Sequence, residues 1–94
     1  MNNQVLLHFK KDQVCLAGYA FGKNIYETQV KGIIDIKSKF YIIIPDTIEM
    51  VFSSFVNGFF ENIINEIGFD DAIRFTNIVT DNEEIRNSFL KELR

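Results

Sequence analysis

The chain has one cysteine, one histidine, one proline and no tryptophan in 94 residues, and each shortage removes a class of protein. A single cysteine excludes an internal disulfide framework and a thiolate-rich zinc site, and it fits a reducing compartment. A single histidine leaves little material for a histidine metal cluster or a Ser-His-Asp triad. The glycines at 18, 22, 32, 58 and 68 match neither a GxGxxG fingerprint nor a P-loop, so no nucleotide motif is present. The longest apolar run, Phe40-Tyr41-Ile42-Ile43-Ile44, is far short of the ~20 residues that span a bilayer. The opening Met1-Asn2-Asn3-Gln4 lacks the basic and apolar segments of a signal peptide. These gaps predict a cytoplasmic, non-enzymatic protein with no cofactor, no metal and no membrane association.

Apolar residues are plentiful, at 47% of the chain, with ten Phe and fourteen Ile. A chain of 10.9 kDa makes one domain, residues 1–94, and must bury a dense core to be stable. Such a composition is not that of a disordered chain. The net charge is −3, and its excess lies in the last third: residues 1–60 carry a net +1 and residues 61–94 a net −4. A pI near 5.0 argues against duplex binding, which calls for a basic stripe. The acidic surface reads simply as a solvated one.

Gln4 to Phe9 and Val14 to Ala17 are apolar and strand-like, and polar Lys10–Gln13 between them predicts a hairpin. From Ala20 the spacing of Phe21, Ile25, Val30 and Ile33 or Ile34 turns helical, although Gly22 and Gly32 each cost a helix ~1 kcal/mol. Phe40 to Ile44 predicts an interior strand buried on both faces and stopped by Pro45. Phe55, Phe59, Ile63 and Ile67, with Val56, Phe60 and Ile64 beside them, predict a strongly amphipathic helix. Ser53 or Ser54 would cap its start and Gly68 its end. Ile73 to Val79 reads as a strand. Thr80-Asp81-Asn82-Glu83 has the spacing of a capping box, opening a helix with Ile85, Phe89, Leu90 and Leu93 inward. The expected fold is a small α/β sandwich of order β-β-α-β-α-β-α, with a mixed sheet and helices mainly on one face.

Few residues suggest chemistry. His8 reads as a strand residue, Cys15 as a small buried hydrophobe, and the acidic pairs near 70 and 81 as helix-terminal charges. The segment from Asp46 through Glu49 to Ser53 and Ser54 is more informative. It follows a buried strand and enters a helix through two hydroxyl residues. A helix N-terminus offers free N–H groups and a positive field, which stabilise an added phosphate. Plain N-capping explains the same serines equally well.

This segment resembles STAS domains, and more closely the short STAS-like domains related to anti-sigma factor antagonists. Gly18-Tyr19-Ala20-Phe21-Gly22 with Ile25 and Val30, Ile42-Ile43-Ile44-Pro45-Asp46, and Val51-Phe52-Ser53-Ser54-Phe55-Val56 carry the resemblance. It implies a protein-interaction module regulated by phosphorylation at Ser53, with a kinase-like regulator as partner. Phe52 stands where those proteins usually carry an acidic residue. Ser53, Ser54, Asp46 and Glu49 are the candidate modification or partner-binding residues. The alternative is a small inhibitor of an enzyme, such as a phage-encoded antagonist of bacterial defence. Self-association into a homodimer, through an unpaired edge of the first hairpin, is a further expectation.

Overall fold

The structure, a computed structural model, describes residues 3–92. The predicted inward placement of Leu93 lies outside them. Two strands open the chain, β1 (Gln4–Leu6) and β2 (Cys15–Leu16), followed by α1 (Tyr19–Ile25), which continues as a π-helical turn over Tyr26–Val30. Next come β3 (Phe40–Ile43), β4 (Met50–Val51), α2 (Ser53–Ile67), α3 (Phe69–Phe75), β5 (Thr76–Val79) and α4 (Glu83–Glu92).

The predicted hairpin and mixed sheet are corrected. β1 and β2 do not pair. Strands β1, β3 and β5 form a parallel sheet in the order β1-β3-β5, and β2 pairs in parallel with β4 in a second, two-stranded sheet. The polar stretch does turn, with Gln13 N donating to Lys10 O at 3.0 Å, but the turn hands the chain from one sheet to the other. The cause is non-local. The apolar run of β3 takes a parallel partner on each side, Val5↔Ile42↔Ile78, and so claims β1 for itself.

β3 is central, yet its side chains alternate: Phe40, Ile42 and Ile44 are buried while Tyr41 and Ile43 are half-buried. The expectation of burial on both faces is therefore also corrected. The core lies on the side of Leu7, Phe40, Ile42 and Ile78, with Phe55, Val56, Phe59, Phe60 and Ile63 of α2, and Ile85 and Phe89 of α4. Phe59 lies at its centre, fully buried, with ring centroids of Phe60 at 5.0 Å and of Tyr26 and Phe55 at 5.9 Å. Burial pushes the Tyr26 hydroxyl above the usual tyrosine range, and the charge of Glu66 adds to that shift.

Gly22 and Gly58, which weaken their helices as isolated residues, are where α1 and α2 meet. A Cβ at Gly22 would run into the Phe55 carbonyl, and one at Gly58 into the Tyr19 carbonyl. Each glycine therefore seats the other helix's backbone. Gly68 ends α2 as predicted, at φ 88°, a conformation that suits glycine.

Ile73 and Phe75 belong to α3, so the predicted strand from Ile73 begins only at Thr76. Asp70 and Asp71 occupy the first turn of α3 and Ala72 is its buried residue. The capping-box reading shifts by two residues: Asn82 Oδ1 accepts from Glu84 N at 2.9 Å and Ile85 N at 3.3 Å, while Thr80 Oγ1 accepts from Asn82 N.

Side chains bond the backbone just past β1 and along β5, at the two edges of the larger sheet. The Gln29 carboxamide accepts from His8 N and donates to His8 O, both at 2.7 Å, as a strand would. Asn3 pins the chain entering β3 by donating to Asp35 O at 2.7 Å and Lys39 O at 3.1 Å. On the β5 side, Arg86 donates to Ile78 O at 3.3 Å and Thr80 O at 2.6 Å. Such contacts blunt the ends of the edges against further strand addition, and the hairpin named in the self-association expectation is not formed.

Candidate functional site

The corner where β4 meets α2 is built by alternation. Buried Ile48 anchors the approach, and Glu49 N and Met50 N both donate to Val14 O, at 2.7 and 3.2 Å. The register Cys15↔Met50 and Leu16↔Val51 turns Leu16 and Val51 into the core. Met50 is then left 52% exposed and Phe52 46% exposed, with half-buried Cys15 and exposed Ala17 on the neighbouring strand.

Phe52 closes this ladder, donating its N–H to Leu16 O at 2.8 Å, and then opens α2. Its extended backbone makes it the N-cap residue, and its carbonyl accepts from Phe55 N at 3.1 Å and Val56 N at 3.3 Å. The expected serine cap is therefore corrected: no side chain caps α2. Ser53 is the first helical residue, exposed, and its hydroxyl makes no hydrogen bond to a described residue. Ser54 Oγ instead accepts from Gly18 N at 2.9 Å, tying the start of α2 to the start of α1.

Asp46 and Glu49 are exposed. With Asp81 and Glu83 they line an open groove of about 440 Å³ beyond the C-terminal ends of β3 and β5. Glu49 also lines a smaller groove with Met50 and Val51 of the corner. Glu83 is paired with Arg86 at 2.6 Å. The four residues singled out in the sequence thus divide into a hydroxyl pair at the helix start and a carboxylate pair in the groove. Met50 and Phe52 were missed, although the alternation Glu49-Met50-Val51-Phe52 already carries the signal for an outward apolar row.

His8 is exposed at the end of β1, with its backbone held by Gln29. A second groove of about 380 Å³, floored by Phe9, Phe21 and Ile25, lies next to it. Among the described residues no group of three or more His, Cys, Asp or Glu is placed to hold a metal ion, and no helix is long and apolar enough to cross a membrane. In comparisons with known proteins, no family model, no curated protein and no solved structure matches this chain.

Proposed function

We propose that this chain is a non-enzymatic protein-interaction module of the STAS-like type, and that it binds its partner, a kinase-like regulator, through the β4–α2 corner under the control of Ser53. One observation supports the reading: an exposed hydroxyl with no hydrogen-bond partner among the described residues, at the first position of a fifteen-residue helix, follows two exposed apolar residues, Met50 and Phe52. Exposed apolar side chains next to a polar rim are what a protein partner buries first. The helix start would favour a phosphate on Ser53 through its dipole and free N–H groups. That phosphate would add about −1.5 to −2 charges beside Phe52 and oppose an apolar contact.

The acidic groove of Asp46, Glu49 and Asp81 favours the second reading, an inhibitor that covers a basic site on an enzyme. Affinity capture from a cell extract separates the two, with wild type, Phe52→Asp and Asp46→Lys/Asp81→Lys as baits. The first reading expects the bound protein to be lost with Phe52→Asp and kept with the lysine double variant. Loss only with the double variant would favour the inhibitor, and retention by both would contradict both readings.

A further inference from the structure

The groove beside the end of β1 is apolar at its floor and basic at its rim. Half-buried Phe9 and Phe21, with ring centroids 6.2 Å apart, and buried Ile25 form the floor. Exposed His8 and Lys10 and half-buried Gln13 complete a concavity of about 380 Å³. Small-molecule sites occupy ~300–1,000 Å³ and are likewise mostly apolar with a few polar groups. The groove lies past the carboxyl end of a parallel strand, where open α/β sheets place their ligand crevices. Hydrogen bonds hold its walls. Gln29 bonds both backbone groups of His8 at 2.7 Å, and Gln13 donates from N to Lys10 O and from Nε2 to Cys15 O, each at 3.0 Å. The Phe21 ring rests on fully buried Phe55, with centroids 5.6 Å apart, so the floor cannot sink into the core. The cavity is preformed.

We propose that this groove binds a small amphipathic carboxylate, with a ring or short alkyl chain on the Phe9–Phe21 floor and the carboxylate at Lys10 and His8. Charge selects the anion. Lys10 is the one charged residue among those lining the groove, and it enters none of the ion pairs among the described residues. Beside it, His8 has only its backbone engaged by Gln29, which leaves the imidazole to the ligand. Asp12 and Glu27 are the acidic residues of the two walls, residues 8–13 and 19–30, and neither lines the groove. Of the other cations there, Lys23 is held by Glu61 at 3.3 Å, and exposed Lys11 adds positive charge to the turn. A cationic ligand would meet Lys10 with no lining carboxylate to offset it, and an uncharged one would gain nothing from the rim. None of the lining residues belongs to the β4–α2 corner, so the inference is independent of the reading of Ser53.

A heteronuclear NMR titration of the full chain with phenylbutyrate, phenylbutanol and phenylbutylamine, which share one apolar body, tests it. Phenylbutyrate should shift the amide resonances of residues 8–13 and 21–25 and saturate with a Kd of about 1 mM. The alcohol should bind about fivefold more weakly and the amine about tenfold or more. Lys10→Glu, at an exposed position that leaves the core untouched, should weaken phenylbutyrate about tenfold and place the amine ahead of it. No saturable shift from any probe up to about 10 mM, or shifts confined to other residues, would overturn the proposal. Equal affinity for the three probes, or a Lys10→Glu variant that keeps the wild-type order, would overturn it too. Circular dichroism confirms that the variant is folded.

Discussion

The two sheets of this small protein treat exposure in opposite ways. At the three-stranded sheet some outer backbone groups are met by side chains, His8 by Gln29 just past β1, and Ile78 and Thr80 by Arg86 on the β5 side. In the two-stranded sheet Val14 and Leu16 accept from Glu49, Met50 and Phe52, while Met50, which shares a groove with Glu84 and Ser88 of α4, and Phe52 stay about half exposed. Backbone protection serves the fold, because an open edge invites indiscriminate pairing. The exposed Phe52 ring at the start of α2 adds nothing to the core. On the proposed reading, the contrast separates the part of the chain that maintains the fold from the part offered to a partner.

Substitutions on the fold-maintaining side should have large effects on stability, beginning with the helix crossing. Gly58→Ala should cost about 4 kcal/mol or more, because the added methyl meets the Tyr19 carbonyl, a backbone atom that cannot swing away. Failure to obtain a cooperative urea transition would be the expected outcome. A transition within 1 kcal/mol of wild type would mean the helices can separate freely at that point.

Phe59→Ala comes next. Its ring is fully buried among Tyr26, Phe55, Phe60 and Phe89. Removing it should cost about 3–5 kcal/mol by loss of burial and the cavity left behind. Chemical denaturation reads this directly, and a change below about 1 kcal/mol would place Phe59 outside the core.

Thr76 should respond with the opposite sign. Its hydroxyl is buried without a hydrogen-bond partner among the described residues. Thr76→Val keeps the shape, removes the orphaned group, and should stabilise by about 1 kcal/mol. Destabilisation by a similar amount would reveal a bond from that hydroxyl to water or to a residue beyond those described.

The smallest effect on the fold appears only at high pH. Tyr26 titrates above the usual tyrosine range because its charged form is desolvated and lies near Glu66. The unfolded chain therefore loses this proton first. Its contribution to stability is complete below about pH 10 and declines as pH rises toward the folded-state value. Denaturation midpoints compared at about pH 8 and about pH 10.5 should fall for wild type and fall less for Tyr26→Phe. Identical slopes would assign the alkaline loss to other groups.

What the sequence shows of the fold follows the range of the interaction involved. The α2 stripe from Phe55 to Ile63 and the central place of β3 are legible because period and length are local properties. The partner of β1 is not, since nothing in Lys10–Gln13 says whether the chain turns back or passes to a second sheet. Gly22 and Gly58 look like defects in their own helices, and only the folded chain sets each against the other's backbone. At the site, Ser53 and Ser54 are visible as a hydroxyl pair. Their roles are decided by β4, whose register brings Phe52 to the cap position and frees one serine while binding the other to Gly18. Asp46 and Glu49 sit near those serines in sequence, whereas the groove that they line is formed with the β5–α4 junction.

The exposed corner should show the reverse pattern, with little effect on stability and a large one on binding. A binding titration of the captured partner against wild type, Ser53→Ala and Ser53→Asp tests the account most directly. Because Ser53 is not the cap of α2 and its hydroxyl has no described partner, Ser53→Ala should change stability by less than about 0.5 kcal/mol and bind as wild type does. Ser53→Asp should weaken binding about tenfold or more, as a charge set beside Met50 and Phe52 opposes their burial. Equal affinity for all three proteins would contradict the claim that this corner is a regulated interaction surface.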